Sequence, residues 1–138
     1  MSIFIRVAGP RGRLAALQVR RTVFVEELGL ERAAVFDEHD TQSLLILASE
    51  ADVPVACARL HIEMDDDDME RAEVQWLAVL PEHRGQGIGS ALLSAVESEA
   101  LRRGLDAVRC QAPEALHPAL ARAGYAKEAD GTQVKTLW

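Results

Sequence analysis

Apolar residues recur along the chain with two different periods, and each change of period marks an element boundary. Ile3, Ile5 and Val7 alternate with Phe4 and Arg6, which predicts a short strand ending at the Gly9–Pro10 turn. From Leu14 to Leu28 the period lengthens: Leu17, Phe24 and Leu28 lie near one face, with Ala16, Val19 and Val23 beside them. That pattern predicts a helix stopped by Gly29. Glu31–Thr41 is polar and acidic and reads as a loop. Leu44–Ala48 and Val53–Ile62 are apolar runs that read as strands, joined by a hairpin-like turn at Glu50–Ala51–Asp52. The run Asp65–Asp68 reads as a solvated hairpin loop, because it lacks the glycine and terminal glutamate of an EF-hand calcium loop.

Glu73–Leu80 reads as a strand whose later residues are apolar on both faces, the mark of burial on both sides. Ile88, Ala91, Leu92, Ala95 and Val96 then repeat at helical spacing, and Arg102–Arg103 followed by Gly104 supply a helix end. Asp106–Gln111 is a further strand, Pro118 to Ala123 a short helix ended by Gly124, and Asp130–Gly131 a tight turn between Tyr125–Ala129 and Thr132–Leu137. The order is strand, helix, three strands, helix, strand, helix, hairpin. This is a mixed α/β or α+β arrangement with an antiparallel meander and one strand–helix–strand crossover.

With 138 residues and no internal repeat or low-complexity linker, the expectation is one domain over residues 1–138. A composition of 49% hydrophobic and 27% charged residues excludes wholesale disorder. Fifteen Lys and Arg against 22 Asp and Glu give a net charge of −7, which argues against nucleic acid as a partner and suits a cationic small substrate. Cys57 and Cys110 lie in apolar segments without metal or redox spacing, and read as buried reduced thiols. The Met1–Val7 segment alternates instead of forming a signal-peptide core, and no apolar run approaches the ~18 residues of a membrane span. The cytoplasm is the default compartment, with no membrane partner.

The stretch that carries chemistry is Val74–Gly104: a buried strand, a turn Arg84–Gly85–Gln86–Gly87–Ile88–Gly89, then a helix. Glycines at such a turn let backbone approach a ligand, and the unpaired first-turn amides with the helix dipole favour a phosphate. The P-loop is excluded because no Lys lies near the turn, and the dinucleotide pattern G-x-G-x-x-G does not fit Gly85, Gly87 and Gly89.

The segment does resemble the acyl-CoA signature of the GNAT superfamily of N-acetyltransferases, [RQ]-x-x-G-x-[GA], filled here by Arg84, Gly87 and Gly89. "WLAVLPEHRGQGIGSALL" is similar to that family throughout, and "VRRTVFVEELGL", "FDEHD" and "VACARLHI" look like its ElaA-like branch. The resemblance implies a mostly antiparallel central sheet with one splayed parallel strand pair, flanked by helices. It implies acetyl-CoA as cosubstrate, no metal, an amine of a small molecule or peptide as acceptor, and a fold in which homodimers are common. The backbone from Arg84 through Gly85, Gln86, Gly87 and Ile88 to Gly89, with Ser90, would hold the coenzyme pyrophosphate. Leu77, Ala78 and Val79 would pair with pantetheine like an added strand, and a backbone amide there would polarise the thioester carbonyl.

The acceptor ammonium must lose a proton before attack, and the departing thiolate gains from a donor. Many family members place a Tyr donor four residues before a glycine; here that position is Leu120, and Tyr125 reads as core packing. His117, Ser90 or a water remain as donors. Candidate bases are Glu27, which follows a helix bordering the acceptor site in this fold, and the cluster Asp37, Glu38, His39 and Asp40. Its crowded carboxylates would raise one another's pKa, although Glu38 and Asp40 equally suit loop capping or binding of a cationic acceptor. Glu73 and Gln75 lie on the coenzyme strand, His83 reads as solvent-facing or near phosphate, and His61 has no distinguishing partner. The missing Tyr also fits a second class, a non-catalytic acyl-CoA-binding or sensing module. Acyl transfer through a Cys110 intermediate is a third.

Overall fold

In the computed structural model, which describes residues 2–137 and leaves Met1 of the alternating N-terminal segment outside, the apolar runs form seven strands. They are β1 (Ile3–Val7), β2 (Leu44–Glu50), β3 (Val53–Met64), β4 (Glu70–Val79), β5 (Ala107–Cys110), β6 (Ala126–Lys127) and β7 (Gln133–Thr136). One sheet joins them in the order β1-β2-β3-β4-β5-β7-β6, antiparallel except for the β4–β5 pair. The helices are α1 (Pro10–Arg20), α2 (Arg32–Val35), α3 (Ile88–Arg102) and α4 (His117–Arg122).

The continuous apolar run of β2 is explained by helices on both faces. Leu45 and Leu47 pack with Ala16, Val19 and Val23 of the first helical stretch, while Ile46 and Ala48 pack with Leu92, Leu93 and Val96 of α3. The larger core is the α3 side, which also takes Leu60, Val74, Val108, Leu120 and Tyr125. Both cysteines are free and buried.

Two elements differ from the sequence expectation. The helix expected over Leu14 to Leu28 starts at Pro10, and its last part, Arg21–Glu27, is π-helical, with the Leu28 amide bonded to the Val23 carbonyl at 3.0 Å. The wider turn moves later residues out of the 3.6 phase, so Leu28 is exposed instead of joining Leu17 and Phe24. The segment expected as a loop, Glu31–Thr41, contains α2 and a 3₁₀ turn at Glu38–Thr41. Val35 is its apolar anchor, fully buried.

Candidate functional site

β4 and β5 share only three rungs, Ala72–Val108, Glu73–Arg109 and Val74–Cys110. Beyond Val74 the edge of β4 that would face β5 has no strand beside it. The cause lies on the other edge. Cys57 pairs with Ala78 and Arg59 with Gln75, so Trp76 and Leu77 together oppose Ala58 alone. This β-bulge bends β4 away from β5 where their pairing stops. It holds Trp76 in the left-handed region at φ 52°, a conformation a non-glycine residue keeps only when its surroundings enforce it. Part of that enforcement is Phe24 of the π-helical turn, packed edge-on against the Trp76 ring with centroids 5.0 Å apart.

The open edge runs through a 3₁₀ turn, Pro81–His83, into the glycine-rich turn before α3. Gly85 and Gly87 have φ of +76° and +82°, and Gly87 is the residue from which α3 starts. Among the described residues, the amides of Gly85, Gln86 and Gly87 donate to no backbone carbonyl. Those of Ile88, Gly89 and Ser90 lie in the first turn, where a helix supplies no acceptor. Six consecutive N–H groups are thereby free at the positive end of a 15-residue helix.

The Arg84 guanidinium is fully engaged within the protein. Its Nε donates to the Val79 carbonyl at 2.9 Å, and its two terminal nitrogens donate to the Glu27 carboxylate at 2.7 and 2.6 Å. The hydrogen bond from Arg84 holds the Glu27 carboxyl below the usual carboxylate range, and Glu27 in turn raises Arg84. Glu27 therefore braces the π-helical turn against the glycine-rich turn, an ionised partner and a poor proton acceptor. His83 lies 3.5 Å from Glu50.

On the α1 side of the sheet, a polar cleft of about 190 Å³ sits between β3, β4, β5 and the C-terminal hairpin. Glu63, Glu73 and Asp130 line it together with Arg71 and Arg109. Both arginines are already paired outside the lining, Arg71 with Asp65 at 2.6 Å and Arg109 with Glu128 at 2.6 Å. The cleft is left with an excess of carboxylate. A second cavity of about 300 Å³ lies between α3 and α4, lined by Ser90, Ser94, Glu97 and Arg122 among others.

In the acidic segment, expected to raise its own pKa values, arginines neutralise the two aspartates. Asp37 is lowered, chiefly by the hydrogen bond from Arg59, whose terminal nitrogens reach its carboxylate at 2.6 and 3.1 Å. Asp40 is buried and accepts from Arg20 at 2.7 Å and from Arg59 at 3.0 Å. Arg59 also donates to Gln75 at 2.7 Å, and Arg13 donates to the backbone carbonyls of Asp40 and Ser43. Asp37 and Asp40 form a capping box on the 3₁₀ turn. The capping expectation thus holds for Asp40, while Glu38 is exposed and offers its carbonyl to the Thr41 hydroxyl at 3.1 Å. The His39 ring packs against that of His61 at a tilt of 54°, with centroids 4.5 Å apart.

Residues 14–128 match the acetyltransferase (GNAT) family. The chain belongs to that family. A protein of Bacillus subtilis (strain 168) with a provisional acetyltransferase name is 33% identical over 97 residues, 68% of this chain and 63% of that protein. The match spans less than two thirds of that relative's length. Among solved structures, a provisionally named N-acetyltransferase of Lactobacillus plantarum superposes with a TM-score of 0.86 at 26% identity, covering 100% of both chains. Escherichia coli ElaA gives 0.79 at 24%, over 97% of this chain and 98% of that one. The N-acetylglutamate synthase of Neisseria gonorrhoeae, solved with coenzyme A and L-arginine, gives 0.75 at 16%, over 97% of this chain and 33% of that one.

In this GNAT chain the usual tyrosine position, Leu120, is buried in the α3-side core. Tyr125 packs there too, its hydroxyl donating to Glu97 at 2.8 Å, which also accepts from Lys135 at 2.9 Å. His117 lies at the start of α4 with Nε2 on the Ala112 carbonyl at 2.9 Å, so that nitrogen is committed to the loop. Burial first, and then the nearby Glu73 charge, push the Cys110 thiol up to about 11, and burial pushes Cys57 up to about 12. Neither is a ready thiolate. Among the described residues no group of three or more His, Cys, Asp and Glu is placed to hold a metal ion, and no helix is long and apolar enough to cross a membrane.

The partners of His61 were invisible in sequence. They are the Ser43 hydroxyl at 2.9 Å, from the turn before β2, and Glu63 at 3.2 Å. Only the i, i+2 spacing of His61 and Glu63 on one strand face hinted at the second.

Proposed function

We propose that this GNAT chain is an acetyl-CoA-dependent N-acetyltransferase, one domain over residues 1–138, that acetylates a primary amine of a small molecule or peptide by direct attack. The observation that carries the reading is the unpaired edge of β4 leading, through the Pro81–His83 turn, into a turn of free amides. Pantetheine pairs along Leu77, Ala78 and Val79 as an added strand, and the pyrophosphate takes the amides from Arg84 to Ser90. Arg84 contributes its backbone while its guanidinium stays on Glu27. The gonococcal synthase, which resembles this chain in fold and was solved with coenzyme A, supports an acyl-CoA in this fold.

The acceptor enters the carboxylate-rich cleft as an ammonium ion, drawn by Glu63, Glu73 and Asp130. One N–H bond breaks toward a cleft carboxylate, and the freed electron pair attacks the thioester carbonyl, polarised by a β4 amide. Collapse releases the thiolate. Because Leu120 donates nothing, water carries the second proton, shed by the acylated nitrogen, to the thiolate. The enzyme's share of the rate is then mainly positioning and carbonyl polarisation.

Calorimetric titration with coenzyme A, followed by thiol release from acetyl-CoA over a panel of primary amines, tests the reading. Binding together with amine-dependent release is the expected result. Tight binding without release for any amine favours the sensing module, which the aliphatic residue at 120 makes the second reading. No binding at millimolar coenzyme overturns both.

A further inference from the structure

Gln75 lies on β4 between the coenzyme edge and the acidic cleft, and one end of its carboxamide is already committed. Its Oε1 accepts from Nε of Arg59 at 2.7 Å, and because a guanidinium only donates, the oxygen is the atom that must face Arg59. The amide nitrogen is left with two hydrogens, and among the described residues neither has an acceptor. Gln75 is half-buried, and that nitrogen is open to solvent. We propose that it reads a neutral carbonyl oxygen on the acceptor, beside the amine that is acetylated, so that the acceptor is an α-amino amide such as the first residue of a peptide. The inference rests on the acetyltransferase reading and names the acceptor class for it.

The order of groups along β4 supports this. The free amides before α3 take the pyrophosphate, pantetheine runs back along Val79, Ala78 and Leu77, and the thioester comes next. Gln75 is two residues beyond Leu77, and Glu73 is two further. Ala72 and Val74 face the α3-side core, so Glu73 and Gln75 share the opposite face. Two residues along a strand span about 7 Å, so one small molecule can touch both side chains. Glu73 lines the cleft and takes the ammonium, while the Gln75 nitrogen donates to an oxygen. An amine and a carbonyl carried on the same carbon meet both demands. A simple alkylamine leaves the Gln75 nitrogen without its partner.

The oxygen that fits is uncharged. A free amino acid would bring its carboxylate beside Glu63, Glu73 and Asp130, while Arg71 and Arg109 are already paired with Asp65 and Glu128. The buried ions behind Gln75 also find a use. Arg59 is 2% exposed, and its guanidinium is held by Asp37 and Asp40, the latter shared with Arg20. Two cations and two carboxylates cancel, so the cluster adds no net charge to the site. It fixes the one side chain that reaches out of it, which lowers the entropy lost on binding.

Gln75→Glu is the discriminating change, because a carboxylate still accepts from Arg59 but offers no hydrogen. Thiol release is measured for wild type and variant on matched pairs: alaninamide with ethylamine, leucinamide with 3-methylbutylamine, phenylalaninamide with phenethylamine. The ratio of kcat/KM, amide over alkylamine, should fall about 5- to 10-fold in the variant, mostly through KM for the amide. The lower amine pKa of an amino amide acts on both proteins alike and cancels. An unchanged ratio in every pair overturns the proposal. A wild-type KM for leucine no higher than that for leucinamide overturns the assignment to a neutral carbonyl. The Gln75 side-chain amide resonance, identified by its absence from Gln75→Glu, needs no turnover. With coenzyme A present, leucinamide should shift it and 3-methylbutylamine should not; the same response to both, or to neither, overturns the carbonyl contact. Coenzyme binding without release from any amine would instead count against the acetyltransferase reading, leaving that resonance to decide the contact.

Discussion

Gly87→Ala and Gly89→Ala separate the cost of folding from the cost of binding at the same turn. Gly87 has φ +82°, and a Cβ built there meets nothing within 4 Å. The fold therefore loses only the left-handed backbone penalty, about 1–2 kcal/mol, and about 3–8 °C of melting temperature. Against a usual stability of about 5–15 kcal/mol the variant stays folded. The empty space is the proposed pyrophosphate position, so the methyl group displaces the ligand. Loss of one amide–phosphate bond, about 1.5–3 kcal/mol, weakens coenzyme A roughly 10- to 150-fold. Gly89 is helical, and its Cβ would meet Val79 Cγ2 at 3.7 Å, an ordinary contact. Gly89→Ala should stabilise the helix by up to about 1 kcal/mol and bind coenzyme A almost normally. Differential scanning calorimetry and isothermal titration on the same samples give both quantities. Wild-type coenzyme affinity in Gly87→Ala, with the melting temperature lowered as expected, would refute the assignment of the free amides to the pyrophosphate.

Asp40→Asn leaves Arg20 and Arg59 without their shared buried carboxylate and should destabilise the fold by about 3–5 kcal/mol in urea unfolding. Asp37 is depressed in the folded state, so its stabilisation is present at neutral pH and is lost as pH falls below about 4; Asp37→Asn should flatten that acid limb of melting temperature against pH. Cys110→Ala should retain turnover in the thiol-release assay, because burial leaves Cys110 protonated at neutral pH. Glu27→Gln breaks the bidentate brace on Arg84 and should weaken coenzyme A while the pH dependence of turnover keeps its shape, as expected of a residue that carries no proton.

Local pattern made much of this legible. Alternation found β1, continuous apolar runs found β2 and β3, and the spacing of Ile88, Leu92 and Val96 found α3 with the glycine turn before it. What escaped was set by residues far apart in sequence. The π-helical turn keeps an apolar pattern compatible with an ordinary helix, and only the contacts of Phe24 with Trp76 and Glu27 with Arg84 reveal its altered phase. The bulge at Trp76–Leu77 has no glycine to announce it. The acidic cluster was misjudged because its neutralising partners, Arg20 and Arg59, lie about twenty residues to either side of Asp40, and a run of carboxylates seen alone suggests mutual repulsion.

The three rungs between β4 and β5 also divide the sheet mechanically. The small leaf made of β5, β7 and β6 hangs from the larger one by a short spine, helped by the packing of α3, Tyr125 and Lys135. Slow amide exchange should be densest in β2 and β3, while the leaf opens on its own, ahead of global unfolding. A molecule lying in the gap would stitch the two leaves together, so protection gained in β7, well away from the phosphate turn, would record its arrival.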